Sequence, residues 1–214
     1  MKTLVIPFLE QVNQRTSAET LLAAMAPLDA NDIAAVSWQA FPYRPSAQFK
    51  IAHTVDSLLL LYQVKEKHVK AEYRNTNDPV YRDSCVEFFL SFDGNNYYNL
   101  EFNCLGTALI GYGNANKADR RRLANSTIEQ LKSFSSIKAK TIASGDTEWR
   151  LLLNIPFTVF DADTIDSLAG VRCTGNFYKC GDELPLPHFV SWNPIDHPTP
   201  NFHLPRFFGQ LLFL

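Results

Sequence analysis

The chain has 214 residues, with 20 Lys and Arg against 22 Asp and Glu, a formal charge of −2, 46% hydrophobic residues and 13% aromatic ones. A chain of this length buries roughly 70% of the surface it exposes when unfolded, so a single domain over 1–214 can build a full core without staples or an obligate metal. Near-balanced charge, with no basic run longer than Arg120-Arg121-Arg122, argues against a nucleic-acid partner, and apolar runs such as Leu58 to Leu61 are far short of the roughly 20 residues a bilayer crossing needs.

In chain order, Leu4–Phe8 reads as a first strand. Lys2 and the apolar residues after it imitate an export signal, but Glu10 and Arg15 follow with no small-residue cleavage site, so the chain as written is expected to be cytoplasmic. Ser17–Met25, with Leu21, Leu22 and Met25 at helical spacing, reads as a short helix. Strands are expected over Gln48–Val55, Ser57–Lys65, Ser84–Phe92, Tyr98–Asn103 and Ala108–Tyr112. The charged stretch 114–134 is helix-compatible, and Ser126 with Glu129 forms a capping-box pattern ahead of Leu131. Strands resume over Ser136–Ile142, Glu148–Ile155, Val171–Tyr178, Phe189–Trp192 and Gly209–Phe213. In Glu148–Ile155, Trp149, Leu151, Leu153 and Ile155 alternate with Glu148, Arg150 and Asn154, Leu152 being the exception. Short β-rich runs punctuated by Pro, Gly, Asn and Asp describe an all-β fold: a single antiparallel β-sandwich, jelly-roll or immunoglobulin-like, with a short helical insert.

The four cysteines, Cys85, Cys104, Cys173 and Cys180, show no C-x-x-C spacing and read as buried free thiols, with a Cys173–Cys180 bridge as the alternative. His188, His197 and His203 match no compact metal motif; His203 reads as a residue that fixes the turn between Phe202 and Pro205. Trp38 and Trp149 read as core, and Arg120–Arg122 as the solvated side of the insert.

One hairpin carries polar groups on one face. In Ser84–Phe92 the residues Cys85, Glu87, Phe89 and Ser91 oppose Val86, Phe88, Leu90 and Phe92, and in the next strand Tyr97, Asn99, Glu101 and Asn103 oppose Tyr98, Leu100 and Phe102. Matching the apolar sets pairs Phe92 with Tyr98, which puts Glu87 opposite Asn103, Phe89 opposite Glu101 and Ser91 opposite Asn99. Carboxylates and amides beside aromatic rings suit a sugar, whose C–H faces stack on rings while its hydroxyls take paired hydrogen bonds. The plain alternative is a solvated outer sheet face.

The most informative segment runs Arg172-Cys173-Thr174-Gly175-Asn176-Phe177-Tyr178-Lys179-Cys180, then Pro187-His188-Phe189-Val190-Ser191-Trp192-Asn193-Pro194, then Pro200-Asn201-Phe202-His203-Leu204-Pro205-Arg206-Phe207-Phe208-Gly209. In its order and spacing it resembles the family-9 carbohydrate-binding modules, and the likeness extends more loosely over Trp38, the run from Asp78 to Leu90, Tyr97-Tyr98 and Asn103 with Gly106. The resemblance implies a sandwich that holds a mono- or oligosaccharide between two aromatic planes, with no cofactor required, although members also bind structural calcium. Asp93-Gly94-Asn95 and Asp161–Asp163 are the segments to which such calcium would be assigned. By position, Tyr81 would be one stacking ring, where sugar-binding members carry Trp, Glu87 the hydrogen-bonding acid and Trp192 the second ring. Arg82, Asn99, Glu101, Asn103, Arg172 and Asn176 complete the candidate ligand-binding set. For Trp192 a packing role competes with stacking. For Glu87 the competitor is an ion pair with Arg82 or Arg172. For Arg172 and Asn176 it is a structural bond network.

Three functions follow. The first is a non-catalytic carbohydrate-binding protein that serves polysaccharide catabolism, xylan included, beside an associated glycoside hydrolase. The second is a glycoside hydrolase using Glu87 and Glu101, which would have to flank a cleft about 5–5.5 Å or 6.5–9.5 Å apart. The third is a protein–protein adaptor whose aromatics form a partner surface. Relatives of this kind are often exported, which sets the resemblance against the absence of a signal.

Overall fold

A computed structural model describes residues 1–138 and 145–214. Among them run strands β1 (Thr3–Ile6), β2 (Asn31–Asp32), β3 (Ala35–Val36), β4 (Ser46–His53), β5 (Ser57–Glu66), β6 (Cys85–Ser91), β7 (Tyr97–Asn103), β8 (Ala108–Gly113), β9 (Arg121–Arg122), β10 (Lys132–Lys138), β11 (Thr147–Pro156), β12 (Arg172–Cys180), β13 (Phe189–Ser191) and β14 (Gly209–Phe213), with helices α1 (Ala18–Met25) and α2 (Asn125–Ile128). They form a β-sandwich. A nine-stranded sheet has the order β1-β14-β12-β6-β7-β8-β9, with β13 and β3 branching from β12, and a five-stranded sheet has the order β10-β11-β5-β4-β2. Pairing among the named strands is antiparallel, as expected, except between β1 and β14, which run parallel. No helix among the described residues is long and apolar enough to cross a membrane.

Side-chain alternation decides what each sheet buries. Val86, Phe88, Leu90, Tyr98, Leu100 and Phe102 of the large sheet face Phe49, Leu58, Leu60, Trp149, Leu151 and Leu153 of the small one, forming the main core. The small sheet's outer side is covered too. Leu59, Leu61 and Leu152 pack there against Leu21 and Met25 of α1, which is why 58–61 is an unbroken Leu run and why Leu152 breaks the alternation of β11. The short helix expected over Ser17–Met25 starts one residue later, with Ser17 as its N-cap, its Oγ accepting the Thr20 N–H at 3.3 Å.

Several expectations are corrected. The β6–β7 hairpin is shifted by two residues: Glu87 pairs with Glu101, Phe89 with Asn99 and Cys85 with Asn103. The loop is the reason. Ser91 Oγ donates to Asn96 O at 2.6 Å, and the Asp93 carboxylate accepts the N–H groups of Asn95 and Asn96, both at 2.8 Å. These bonds hold the turn at 92–96, one residue earlier than expected, and a two-residue shift in pairing preserves both faces, so the apolar pattern permits it. In the insert, the Ser126–Glu129 capping box does not form. Ala124 stands at the helix N-cap without a side-chain bond, and the stretch holds the short strand β9 and the start of β10 beside the four-residue α2. Of the strand expected over Ser136–Ile142, residues 139–142 lie outside the described residues. All four cysteines are buried and free, without the Cys173–Cys180 bridge.

Candidate functional site

The outer face of the large sheet is not solvated. Cys85, Phe89, Tyr97, Tyr178 and Cys180 form a second apolar cluster with Trp38, Ile195, Phe202 and Phe208, so the carboxyl-terminal loop lies across the strands as a cover. Tyr178 anchors it: its ring stacks on Phe202 with centroids 4.1 Å apart, and its hydroxyl donates to Phe202 O at 3.3 Å. Trp38 Nε1 donates to His197 O at 2.7 Å and fixes the far end.

Cover and sheet leave a cleft of about 320 Å³ lined by Tyr81, Glu87, Glu101, Cys180, Asp182, Phe189, Pro200, Asn201, Phe202 and His203. Its floor is the register pair Glu87 and Glu101, 3% and 5% exposed. Glu87 Oε1 accepts the Cys180 thiol at 3.1 Å. Glu101 Oε1 accepts the Asn99 amide at 2.9 Å, while its Oε2 has no partner. Asn99 is itself held by Arg120, whose guanidinium also donates to the carbonyls of Gly113, Asn114 and Tyr97 and lies 4.0 Å from the Tyr97 ring centroid. Arg120 is therefore part of the support of the cleft, not a solvated residue of the insert.

Burial disfavours charge, and two acids side by side add to it. Burial, then the neighbouring Glu101, holds the Glu87 carboxyl well above the usual range. Burial raises Glu101 to about 7 against the opposing Asn99 hydrogen bond, and burial with Glu183 nearby raises Asp182 to about 6. Together with aromatic walls, these carboxyls make a pocket rich in acceptors and poor in protein donors.

Of the nine residues singled out in the sequence, Tyr81, Glu87 and Glu101 line the cleft. Asn99 and Asn103 stand behind it. Asn103 donates to Tyr73 O at 2.8 Å and to Asp83 Oδ2 at 3.1 Å, and Asp83 accepts the N–H groups of Glu72 and Tyr73, bonds that brace the turn carrying Tyr81. Arg82 is on the outside, paired with Glu183 at 3.4 Å, so it is not the partner of Glu87. Arg172 is exposed on the far end of β12, away from the cleft. Asn176 is buried in the structural network foreseen for it, its amide donating to Asn193 O at 3.0 Å and its Oδ1 accepting the N–H groups of Phe177 and Asn193.

Trp192 is the main correction. It is 4% exposed in the core between the sheets, edge-on to Phe49 and Phe177 at 6.3 and 5.7 Å, so it offers no face to a ligand in the cleft. Alternation explains it: Ser191 registers with Tyr178, which turns the next residue to the core side. The aromatic walls come instead from Phe202, Phe189 and Tyr81. Phe202 and Phe189 escaped notice because proximity to the acids is not local in sequence. Cys180 was locatable, since it shares strand parity with Tyr178 and Asn176. His203 does fix its loop, its Nδ1 lying 2.9 Å from the Tyr97 hydroxyl, and it also lines the cleft.

Neither segment named for calcium offers a ligand set. Asp93 is engaged by backbone N–H groups, Asp161 is paired with Arg121 at 2.7 Å, and Asp163 accepts the Tyr98 hydroxyl at 2.8 Å, whereas calcium takes 6–8 oxygen ligands. Among the described residues, one group of potential ligands lies within mutual reach, namely Cys85, Glu87 and Cys180, their ligand atoms all within 4.8 Å of one another. Burial raises the Cys85 thiol to about 12 and Cys180 well above its usual value, so both thiols are held in the protonated form.

Comparison with known proteins agrees with this architecture. A crystal structure of a candidate carbohydrate-binding protein from Bacteroides uniformis is 37% identical, superposes with a TM-score of 0.91, and is matched over 100% of this chain and 99% of its own. A family-9 carbohydrate-binding module from Caldicellulosiruptor kristjanssonii in complex with cellotriose has 14% identity and a TM-score of 0.59, with 99% of this chain and 93% of that one covered. A family-9 module from the same organism in complex with glucose has 15% identity and a TM-score of 0.56, with 100% and 96% covered. These two share the fold. Among curated proteins, none matches the chain. The family description that fits residues 17–213 is carbohydrate-binding family 9, and with a cleft of aromatic walls and a carboxylate floor on its larger sheet, the chain belongs to that family.

Proposed function

We propose that the protein binds a saccharide in this cleft without cleaving it. The observation that carries the reading is the cleft itself: two buried carboxylates as its floor and Tyr81, Phe189 and Phe202 as its walls, in a chain of carbohydrate-binding family 9. The C–H face of a sugar ring lies against the aromatic planes while its hydroxyls donate to Glu87 and Glu101. Related modules bound to cellotriose and to glucose support a short glycan or chain end as the ligand. The protein would thus serve polysaccharide breakdown, xylan included, beside an associated glycoside hydrolase.

The geometry favours binding over hydrolysis. Glu87 and Glu101 are direct cross-strand neighbours on one sheet face, so both approach a ligand from one side, whereas a glycosidase needs its acid and its nucleophile or base flanking the bond. Calorimetry with glucose, cello- and xylo-oligosaccharides tests the reading. Wild type is expected to bind, Tyr81→Ala to lose about 1–3 kcal/mol by analogy with other ring stacking, and Glu87→Gln to bind more weakly. Release of reducing sugar by wild type that Glu87→Gln and Glu101→Gln abolish would overturn it in favour of the hydrolase. A folded wild type that binds no sugar would overturn both.

A further inference from the structure

The charge balance of the cleft points to one class of sugar. Three of the ten lining residues are carboxylic acids, Glu87, Glu101 and Asp182, and none is Lys or Arg. Directly opposed residues of an antiparallel pair have Cβ atoms about 4.5–5.5 Å apart, and like charges there repel. The fold keeps this repulsion in a buried place while giving each acid few donors: the Cys180 thiol for Glu87 and the Asn99 amide for Glu101, with Glu101 Oε2 unpartnered.

The cations packed nearby are committed elsewhere. Arg120 is spent on Asn99 and on three backbone carbonyls, Arg122 on Asn77 O and Arg82 on Glu183. Lys179 is buried at 2.9 Å from Glu66. A neutral sugar supplies hydroxyl donors but nothing that favours the ionised form of acids whose burial and proximity oppose their charge. A protonated amine supplies three donors and the missing charge, and hydrogen bonds between ions are roughly twice as strong as neutral ones.

We propose that the cleft selects an amino sugar with a free ammonium group, seated at the floor beside Glu87 and Glu101, with its ring against Phe202 and Tyr81. This rests on the saccharide reading of the same cleft and names its ligand class. Removing the charge by acetylation should abolish the advantage, since the amide has one donor and no charge.

The test is calorimetry of the intact chain at neutral pH with glucosamine, N-acetylglucosamine and glucose, and with their β-1,4-linked disaccharides. Glucosamine or its disaccharide is expected to bind at least about tenfold tighter than the acetylated and neutral sugars. In Glu101→Gln, with its fold checked by thermal melting, the ratio of amino-sugar to neutral-sugar affinity should fall towards one. If neutral sugars bind as well as or better than glucosamine, the inference fails while the saccharide reading stands. If no sugar binds but zinc or calcium chloride does, the floor is a metal site and both fail. An unchanged affinity ratio in Glu101→Gln would also overturn the inference.

Discussion

Lys179 shows how much a single side chain costs when it is buried with charge. It is fully buried, 2.9 Å from Glu66 Oε2 and 2.8 Å from His188 Nε2, while Glu66 Oε1 accepts the Trp149 indole N–H at 2.7 Å. Removing one member of a buried pair strands the other, at about 3–5 kcal/mol, whereas removing both charges is often close to neutral. Lys179→Met is therefore expected to lose about 3–5 kcal/mol in urea unfolding. Glu66→Gln/Lys179→Met, which keeps an acceptor for Trp149, should recover most of that loss. A double variant as unstable as the single would show that packing of the Lys179 stem, and not the stranded carboxylate, sets the cost.

At the scale of elements, the pairing of β7 with β8 determines where the floor acid points. Asn99 registers with Gly111, and a Cβ at Gly111 would come within 2.6 Å of Asn99 Oδ1 and 3.3 Å of Arg121 O. The bare glycine leaves room for the amide that links Arg120 to Glu101. Gly111→Ala should remain folded but displace Asn99, weakening sugar binding about tenfold with little change in melting temperature. Equal binding by this variant would show that Asn99 does not position Glu101.

Across the whole molecule, two sets of buried groups pull stability in opposite directions with pH. Burial and the Lys179 ammonium lower His188 from 6.5 to about 3. Unfolded chains then bind its proton first, and stability rises from about pH 3 to its ordinary value. Glu101 runs the other way, its raised folded value of about 7 against an ordinary 4.5 meaning that the native state binds the extra proton. Its contribution is largest below about pH 4.5 and declines as pH rises to 7. Asp182 follows the same sign between 3.8 and about 6. Glu101→Gln should match wild type near pH 4.5 and melt at a higher temperature at pH 8. A variant whose melting temperature stays below that of wild type at pH 8 would contradict this assignment.

Strand parity is a local property, because the side-chain period of two is built into every extended backbone. The sequence alone therefore determined that Glu87 and Glu101 share a face with Phe89 and Asn99, that Val86, Phe88 and Leu90 turn to the core, and that the whole is a β-sandwich. The order of residues 172–209 also sufficed to suggest the family. Register and burial are not local. The hairpin's two-residue shift is set by hydrogen bonds of Ser91 and Asp93 inside the turn, and either register satisfies the apolar pattern equally. Whether Glu87 faces water or a cleft depends on a loop more than a hundred residues later in the chain, tied down by Tyr178 and Trp38. The same loop supplies Phe202, while the backbone direction at Ser191 sends Trp192 inward. Only the tertiary structure decided these points, because each is a contact between segments whose separation along the chain leaves no trace in periodicity.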